Sequence, residues 1–413
     1  MNDVRVVVTG LGAVTSVGNT VEEAWASVLA GKSGISPITQ FDATEFRTRI
    51  AASVVGFDVD AYASPKVTRR LDLFCHYALG AAAQAVAHAG LDLDAVNPDR
   101  FGVLVGSGIG GLLTLEEQHK SYLEGGPNKV SPFLIPRMIS DMASGAVSMH
   151  FGARGPNFGI VSACASGTHS IGEAFWALKR GDADLMLTGG AEACICEIGV
   201  AGFCSIKAMT TRNDEPERAS RPFDRDRDGF VIAEGAGVLC LETLDHARAR
   251  GAQIIAEVVG YGATADAYHL TAPRPDAAGA ILAIETALRH ARLNPEDVTY
   301  VNAHGTSTQL NDKGETIALK QVLGDHAYKT PVSSTKALTG HALGAAGAIE
   351  TVFCAKAIET QTVPGTWNYE TPDPDCDLDY VPNQTREHKV DAVLNMNFGF
   401  GGHNAVLALR AFS

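Results

Sequence analysis

The chain has 413 residues, 46% of them hydrophobic and 19% charged, so it can bury a large core and is too long for one ordinary small domain. Its 33 Lys and Arg face 47 Asp and Glu, and the formal net charge of −14 argues against broad binding to nucleic acid or to an anionic membrane. Every apolar run is interrupted well before the roughly 18 residues of a spanning helix, so we expect no membrane segment.

The N-terminal residues have no positively charged region ahead of an apolar stretch, so we expect no export signal and a cytoplasmic protein. The eight cysteines are scattered through apolar sequence. The one close pair, Cys194 and Cys196, lacks zinc-site spacing and a second ligand pair. We therefore predict reduced, mostly buried thiols and no bound metal.

Short runs rich in Val, Ile and Leu alternate with Ala-rich stretches, which predicts an α/β protein with fully buried strands. The clearest predicted strands are residues 4–9, 101–106, 184–189, 237–242 and 298–302. The clearest predicted helices are residues 73–88, 167–180 and 279–291.

A charged stretch at residues 244–251 separates two parts of similar layout. The second part begins with a strand-like run at 254–261 and Gly262, much as the first begins with 4–9 and Gly10. We interpret this as a weak internal duplication, with an N-terminal half at 1–250 and a C-terminal half at 251–413.

Three glycine-rich or acidic motifs do not support the sites that they imitate. The run 106–111 follows a strand and fits the dinucleotide fingerprint, but the helix after it leads into Gly and Pro instead of a second strand with an acidic end. The run 224–229 imitates a calcium loop, yet arginines fill its gaps, which predicts a charged surface turn. The run 10–12 lacks the third glycine, which predicts a strand-terminating turn.

A nucleophile and possible partners stand out in three separate blocks. Cys164 lies in Val-Ser-Ala-Cys-Ala-Ser-Gly-Thr, His304 in Asn-Ala-His-Gly-Thr-Ser-Thr, and His341 in Thr-Gly-His, with Lys336 nearby. A strand-like run at 159–161 followed directly by a helix would place the sulfur at a helix N-terminus, where the dipole and free amides favour thiolate. Such a set suits acyl transfer with carbon–carbon bond chemistry.

Taken one at a time, these residues have ordinary structural explanations. A single cysteine is more often a small buried hydrophobe than a catalyst, and a single histidine often caps or bridges. Their occurrence together, each flanked by small residues, favours the catalytic interpretation.

These blocks, with residues 221–237 and 397–402, resemble the elongating type II β-ketoacyl-acyl-carrier-protein synthases over essentially the whole chain. The resemblance implies a thiolase-like fold, in which two duplicated βαβαβαββ halves form five layers of helix, sheet, helix, sheet and helix. It also implies a homodimer.

The resemblance further implies a role for each matching residue. Cys164 would accept the acyl chain as a thioester, and His304 and His341 would bind and decarboxylate the malonyl thioester. The amides of Cys164 and Phe400 would hold the oxyanion that forms next. Phe400, between glycines, would also gate the entry of acyl chains.

Other matching positions surround this set. Lys336 would act electrostatically and orient its neighbours, paired with Glu350 so that its burial is compensated. Thr306 and Thr308 would bind the phosphopantetheine arm, although a plain turn is an alternative. Ile109 would lie at the end of the acyl pocket and influence chain length.

An acidic carrier protein requires a local basic patch on an acidic enzyme. The positions that match the family's docking surface are Lys66, Arg69, Arg70, Lys129 and Lys207. Two positions depart from the family, Asn128 where a basic residue is common and Met396 in the C-terminal loop. Met396 is a poor ligand for a hard cation, which argues against the monovalent ion that some relatives hold near Asn302 and Glu350. We expect no cofactor beyond the arm on the carrier protein.

The predicted function is elongation of an acyl chain by two carbons, through decarboxylative condensation with a malonyl group on acyl carrier protein in fatty acid biosynthesis. One alternative is a ketosynthase of a specialised polyketide or aryl polyene pathway. A non-catalytic chain-length partner would lack the nucleophile, and a thioester hydrolase would need water at the acyl site. A scaffolding protein would not depend on Cys164.

Overall fold

A computed structural model describes residues 4–413 as alternating strands and helices. In this part of the chain the strands are β1 (Val6–Thr15), β2 (Ser36–Pro37), β3 (Ile50–Ala51), β4 (Phe101–Gly106), β5 (Leu185–Glu192), β6 (Gly235–Thr243), β7 (Ala256–Ala265), β8 (Tyr300–Asn302), β9 (Val332–Ser333), β10 (Thr362–Val363), β11 (Arg386–Glu387), β12 (Ala392–Gly399) and β13 (His403–Arg410). The α-helices are α1 (Val21–Leu29), α2 (Pro65–Thr68), α3 (Leu73–His88), α4 (Leu112–Gly125), α5 (Leu134–Met138), α6 (Met142–Phe151), α7 (Ser166–Arg180), α8 (Glu197–Ser205), α9 (Leu244–Ala249), α10 (Ala278–Ala291), α11 (Gln309–Leu323), α12 (Lys336–Thr339) and α13 (Ala346–Thr360).

The main sheet has a palindromic order, β4-β5-β6-β1-β7-β13-β12-β8-β9. From the outside inward, the first half begins with one parallel pair, β4 with β5, and the second half begins with two, β9 with β8 and β8 with β12. Antiparallel pairs follow in both halves. The halves join where β1 pairs with β7 at three positions. The second half follows the order β7-α10-β8-α11-β9-α13-β12-β13, which is one complete βαβαβαββ unit.

Helices cover both faces of each half-sheet and so produce five layers. Helix α3 packs on β1, β5 and β6, and α10 packs on β7 and β13. Helices α7 and α13 contact each other and strands of both halves, so they form the central layer. The chain therefore has the duplicated, five-layered α/β fold that the resemblance implied.

The glycines at residues 10 and 12 lie within β1, so the prediction of a strand-terminating turn was wrong. A Cβ on Gly10 would lie 2.1 Å from the Ala85 carbonyl oxygen of α3, and one on Gly12 would lie 1.8 Å from that of Ala81. These glycines let a helix approach the strand closely. In the second half, Gly260 on β7 has the same relation to α10.

The strand-like run at 159–161 does not form a strand within this chain. In the repeat it occupies the position of β9, but only Asn157 bridges to β4, at Val103. Beyond that bridge the segment has no neighbouring strand in the described chain. Phe158 just before the run and Val161 at its end are exposed, 48% and 58% accessible, whereas Ile160 is partly buried.

Two charged stretches are more ordered than the sequence suggested. Residues 244–251 contain helix α9, which packs against β1 and β6 instead of forming a separating segment. In the run 224–229, Asp224 and Arg227 are buried, so the prediction of a surface turn was wrong for them. The Asp224 carboxylate accepts N–H bonds from Glu370 and Thr371, which draws it inside.

Among the helices between residues 4 and 413, none combines the length and the apolar character needed to cross a membrane. All eight cysteines are free, and seven of them are buried.

The buried Glu234 gives the fold a pH dependence that can be measured. Burial raises the pKa of Glu234 from 4.5 to about 7, against hydrogen bonds from the Val54 N–H and the Tyr77 hydroxyl. Between these two pKa values the folded state binds more protons than the unfolded state, so the free energy of unfolding falls as pH rises.

We predict that Glu234→Gln, which mimics the protonated form, flattens this slope. Compared with the variant, the wild-type protein should lose up to about 3 kcal/mol of unfolding free energy between pH 4.5 and 8. Urea unfolding across that range measures the difference. If the free energy of unfolding changes with pH equally in the two proteins, the raised pKa of Glu234 is contradicted.

Candidate active site

A cavity of about 340 Å³ opens between the start of α11 and the C-terminal glycine-rich loop. His304, Thr306 and Thr308 line one side, and Phe398 and Phe400 line the other. His304 is buried, which makes it the inner end of this side. The hydroxyls of Thr306 and Thr308 lie 3.0 Å apart and form a polar strip on this side of the cavity.

Cys164 lies behind this wall, in a 3-10 turn at Ala163–Ala165 that runs directly into α7. The turn is sharp, since Ala163 has a positive φ of 51°. The sulfur is therefore at the N-terminal end of the helix, as the sequence indicated. Burial raises the pKa of the Cys164 thiol to about 12 and outweighs the opposing charge of Lys336, so it works against the thiolate that the helix terminus favours.

The structure brings the two histidines to this sulfur. His341 Nε2 lies 3.1 Å from the Cys164 sulfur, and the rings of His304 and His341 are nearly perpendicular with centroids 5.1 Å apart. Burial, with the Lys336 ammonium nearby, lowers the pKa of both imidazoles well below the usual value. Both are neutral at pH 7, so His341 can accept the thiol proton.

A buried network sets which nitrogen of His304 carries its proton. Asn397 Oδ1 accepts a bond of 2.5 Å from the Thr168 hydroxyl, which orients the amide. Asn397 Nδ2 then donates to Glu350 Oε2 at 2.7 Å and lies 3.4 Å from His304 Nδ1. Because Nδ2 is a donor, Nδ1 is the acceptor and Nε2 carries the proton. His304 can thus present an N–H donor to a bound carbonyl.

Lys336 joins the same network from α12. Its ammonium forms an ion pair with Glu350 and donates to the His304 carbonyl oxygen at 2.6 Å. Both side chains are almost fully buried. The pair therefore holds the His304 backbone and keeps a positive charge beside the two imidazoles.

Sequence reasoning missed two residues that hold the loop after β8. Glu315 on α11 accepts the N–H groups of His304 and Gly305 at 2.7 and 2.6 Å. Arg227 donates to the carbonyl of Thr308 at 3.1 Å. Their sequence signal is weak. Glu315 is an acidic residue in the helix after His304, and Arg227 lies in a charged run, so both look like surface residues.

Two backbone amides meet near the sulfur. The N–H groups of Phe400 and Cys164 both interact with the thiol and favour its charged form. A Cβ on Gly399 would lie 2.6 Å from the Ser162 carbonyl oxygen and 3.1 Å from the Cys164 nitrogen. Glycine at 399 therefore permits the loop to bring the second amide close, which forms a site for an oxyanion.

The sulfur faces an apolar cluster that can hold a hydrocarbon chain. Ile109 packs against this cluster. Sequence reasoning missed the other members, because they come from distant segments. The large apolar residues of the cluster, which could contact a bound acyl chain, are Ile195, Val200, Phe203, Met209, Phe230, Ile232 and Leu343.

The basic residues of the expected docking surface are all exposed. Lys207 is at the cavity mouth, whereas the other four do not line it. Lys66 lies on α2, with Arg69 and Arg70 following it, and Lys129 lies after α4.

The region around Met396 is poorly suited to a hard cation. Met396 packs within the outer apolar core, and the nearby oxygens of Asn395 and Glu350 already accept N–H bonds from Asn302 and Asn397. In residues 4–413, the one convergent group of His, Cys and acidic side chains is Cys164, His304 and His341, whose ligand atoms lie within 4.8 Å of one another. The buried Lys336 ammonium opposes a cation there.

Comparison with known proteins assigns this site to a family. Residues 3–247 match the model of the β-ketoacyl synthase N-terminal domain, and residues 255–370 match that of the C-terminal domain. The chain belongs to the β-ketoacyl synthase family.

Individual relatives agree over nearly the full length of the chain. The 3-oxoacyl-[acyl-carrier-protein] synthase 2 of Synechocystis sp. is 52% identical over 408 residues, which are 99% of this chain and 98% of the relative. A β-ketoacyl synthase structure from Burkholderia phymatum has a TM-score of 0.93 at 37% identity, covering 99% and 100% of the two chains. The same TM-score, identity and coverage hold for a ketosynthase bound to the hexaketide in complex with its type II PKS acyl-carrier protein.

We predict that Lys336→Met leaves the Glu350 carboxylate buried without its cation and lowers the free energy of unfolding by about 3–5 kcal/mol. In the double variant Lys336→Met, Glu350→Met most of that loss should be recovered, since no unpaired charge remains. Chemical denaturation of both variants measures the coupling. Additive losses would show that the two side chains act independently.

Proposed function

We propose that this β-ketoacyl synthase condenses malonyl-acyl carrier protein with an acyl group held on Cys164, and so extends the chain by two carbons in fatty acid biosynthesis. The observation that supports it best is the convergence of a buried thiol and two neutral imidazoles at the inner end of a cavity. Relatives that are 52% and 50% identical are named 3-oxoacyl-acyl-carrier-protein synthase 2, which favours fatty acids over a specialised pathway.

The first half-reaction loads Cys164. The thiol proton passes to His341 Nε2, 3.1 Å away, while the sulfur attacks the acyl thioester carbonyl. The N–H groups of Cys164 and Phe400 hold the resulting oxyanion. Its collapse breaks the bond to the carrier sulfur, which leaves as a thiol with the proton from His341.

The second half-reaction forms the new bond. The carbon–carbon bond of the malonyl group breaks, carbon dioxide leaves, and the electron pair moves toward the thioester oxygen. The Nε2–H of His304, with His341 beside it, stabilises that negative charge. The enolate carbon attacks the Cys164 thioester, and the tetrahedral intermediate expels the Cys164 thiolate, which takes up one proton from water to restore the thiol.

The partner that delivers both thioesters is an acidic acyl carrier protein. Lys207 stands at the mouth of the cavity, where a carrier would dock, and its exposed charge opposes the overall −14. Thr306 and Thr308 form the polar strip suited to the amides of the phosphopantetheine arm. Lys66, Arg69, Arg70 and Lys129 extend the docking surface, and the net charge of −14 disfavours nucleic acid and anionic membranes as partners.

The exposed segment after α6 supports a homodimer. Phe158 and Val161 are exposed apolar side chains next to the turn that carries Cys164, on a backbone that, beyond the bridge at Asn157, has no strand neighbour within residues 4–413. Such an edge invites pairing with a second copy.

The free cysteines support a cytoplasmic location. The repeat in the sheet supports a boundary between the two halves at residues 250 and 251.

We predict that Cys164→Ala abolishes condensation, because Cys164 is the thiol that lies beside the two histidines in residues 4–413. Intact-mass and peptide analysis of the wild-type protein with acyl carrier thioester should find one acyl group, on Cys164. Cys376→Ala, which removes a buried thiol of the outer core, should still be acylated. Acylation of wild type at another peptide would refute the mechanism.

We also predict that Ile109→Phe shortens the longest acyl donor that is accepted, because the larger ring fills the apolar cluster. Rates with a series of acyl-carrier donors of increasing length measure the cutoff. The same series on the wild-type protein separates fatty-acid elongation from polyketide or aryl polyene synthesis. If the variant accepts acyl chains of the same maximum length, Ile109 does not line the acyl pocket.

A further inference from the structure

A buried carboxylate on the far side of the acyl pocket connects two loops of the site. Glu192, the last residue of β5, is fully buried. Its Oε1 accepts from the Ser107 hydroxyl at 2.8 Å and from the Ile109 N–H at 3.2 Å. Its Oε2 accepts from the N–H groups of Gly108 at 2.8 Å and Gly344 at 3.0 Å.

All four partners are donors, which is the pattern that an ionised carboxylate requires. The Ser107 hydroxyl oxygen itself accepts the Gly110 N–H, so its own proton points to Glu192. Burial raises the pKa of Glu192, and these hydrogen bonds oppose the rise. Four hydrogen-bond donors therefore satisfy this buried carboxylate, so the fold is arranged to hold it.

The internal repeat explains where this carboxylate lies. Strand β5 corresponds to β12, and the 3-10 turn Leu343–Ala345 before α13 corresponds to Ala163–Ala165 before α7. Both turns begin with a positive φ, 47° at Leu343 and 51° at Ala163. The Gly344 amide is therefore the counterpart of the Cys164 amide. One half leaves this amide free for a substrate oxyanion, and the other half fills it with Glu192.

The contacts of Glu192 connect it to the acyl pocket and to the loop that carries His341. Ile109 belongs to the acyl pocket, and Gly344 follows His341 by three residues. Space around the carboxylate is tight, since a Cβ on Gly108 would lie 2.8 Å from Glu192 Oε2 and 3.1 Å from the Ala163 carbonyl oxygen. The negative charge of Glu192 also contributes to the raised pKa of Cys164.

We propose that Glu192 is a positioning residue, whose carboxylate holds the Ile109 wall and the loop of His341 in register beside Cys164. It touches no substrate; it acts through these two loops and through the effect of its negative charge on the Cys164 thiol. The role in chain-length selection rests on the proposed condensation, whereas the effect on the thiol does not.

The test compares Glu192→Gln with Glu242→Gln. Glu242 is also a fully buried carboxylate with several partners, among them Thr9, His246 and Arg250, but it lies on β6 outside the site. Two readouts are taken on the full-length protein, the pH midpoint of Cys164 alkylation by iodoacetamide and the ratio of rates with hexanoyl and palmitoyl carrier donors.

For Glu192→Gln we expect the alkylation midpoint to fall by roughly one pH unit, because a nearby negative charge has been removed. We expect the ratio of the rates with the hexanoyl and palmitoyl carriers to change roughly tenfold. The side-chain NH2 of the glutamine would face N–H groups where the carboxylate accepted their hydrogen bonds, and this would displace the Ile109 loop. Glu242→Gln should change neither readout, whatever it does to the unfolding temperature. If Glu192→Gln does not fold, Ser107→Ala carries the test, with a smaller change of the donor ratio.

The proposal is overturned if the variant loses stability but keeps the wild-type alkylation midpoint and donor ratio, or if Glu242→Gln changes them equally. A wild-type protein that is alkylated at Cys164 yet condenses no malonyl donor would overturn the proposed function instead. In that case the alkylation midpoint alone decides the role of Glu192.

Discussion

The close packing of helices α7 and α13 is the constraint on which the site depends. A Cβ on Gly167 would lie 2.9 Å from the Gly344 carbonyl oxygen, and one on Gly347 would lie 1.9 Å from the Thr168 hydroxyl oxygen. Glycines at these two positions let the helices meet between the half-sheets. Because the turn with Cys164 precedes α7 and the loop with His341 precedes α13, this contact brings the nucleophile to its histidine.

Burial then sets the chemistry of the groups that meet there. Removal from water keeps the thiol protonated and both imidazoles neutral, so proton transfer from sulfur to His341 has an acceptor at 3.1 Å. The one permanent positive charge, Lys336, is compensated by Glu350. A dry site of this kind strengthens fixed N–H donors at the moment when charge develops on a substrate oxygen.

Duplication supplied two similar helix N-termini, and the two halves use them differently. The turn before α7 carries a sulfur and leaves its amide open beside Phe400. The turn before α13 carries glycine at the equivalent position and receives the carboxylate of Glu192. A single anion-accepting position therefore remains on the side where the acyl chain is bound, and the other half serves as its support.

The local patterns of the sequence predicted much of this molecule. The helix at 73–88 and the strand at 101–106 have the predicted limits, because hydrophobic composition and flanking breakers act over a few residues. The motifs also identified the family and the fold. Tertiary structure decided what depends on distant neighbours. Gly10 continues a strand because α3 lies against it, and Asp224 is buried because the backbone at 370–371 supplies donors. The protonation of Cys164, the tautomer of His304 and the contacts of Glu192 arise only when segments more than 80 residues apart enclose each other and exclude water.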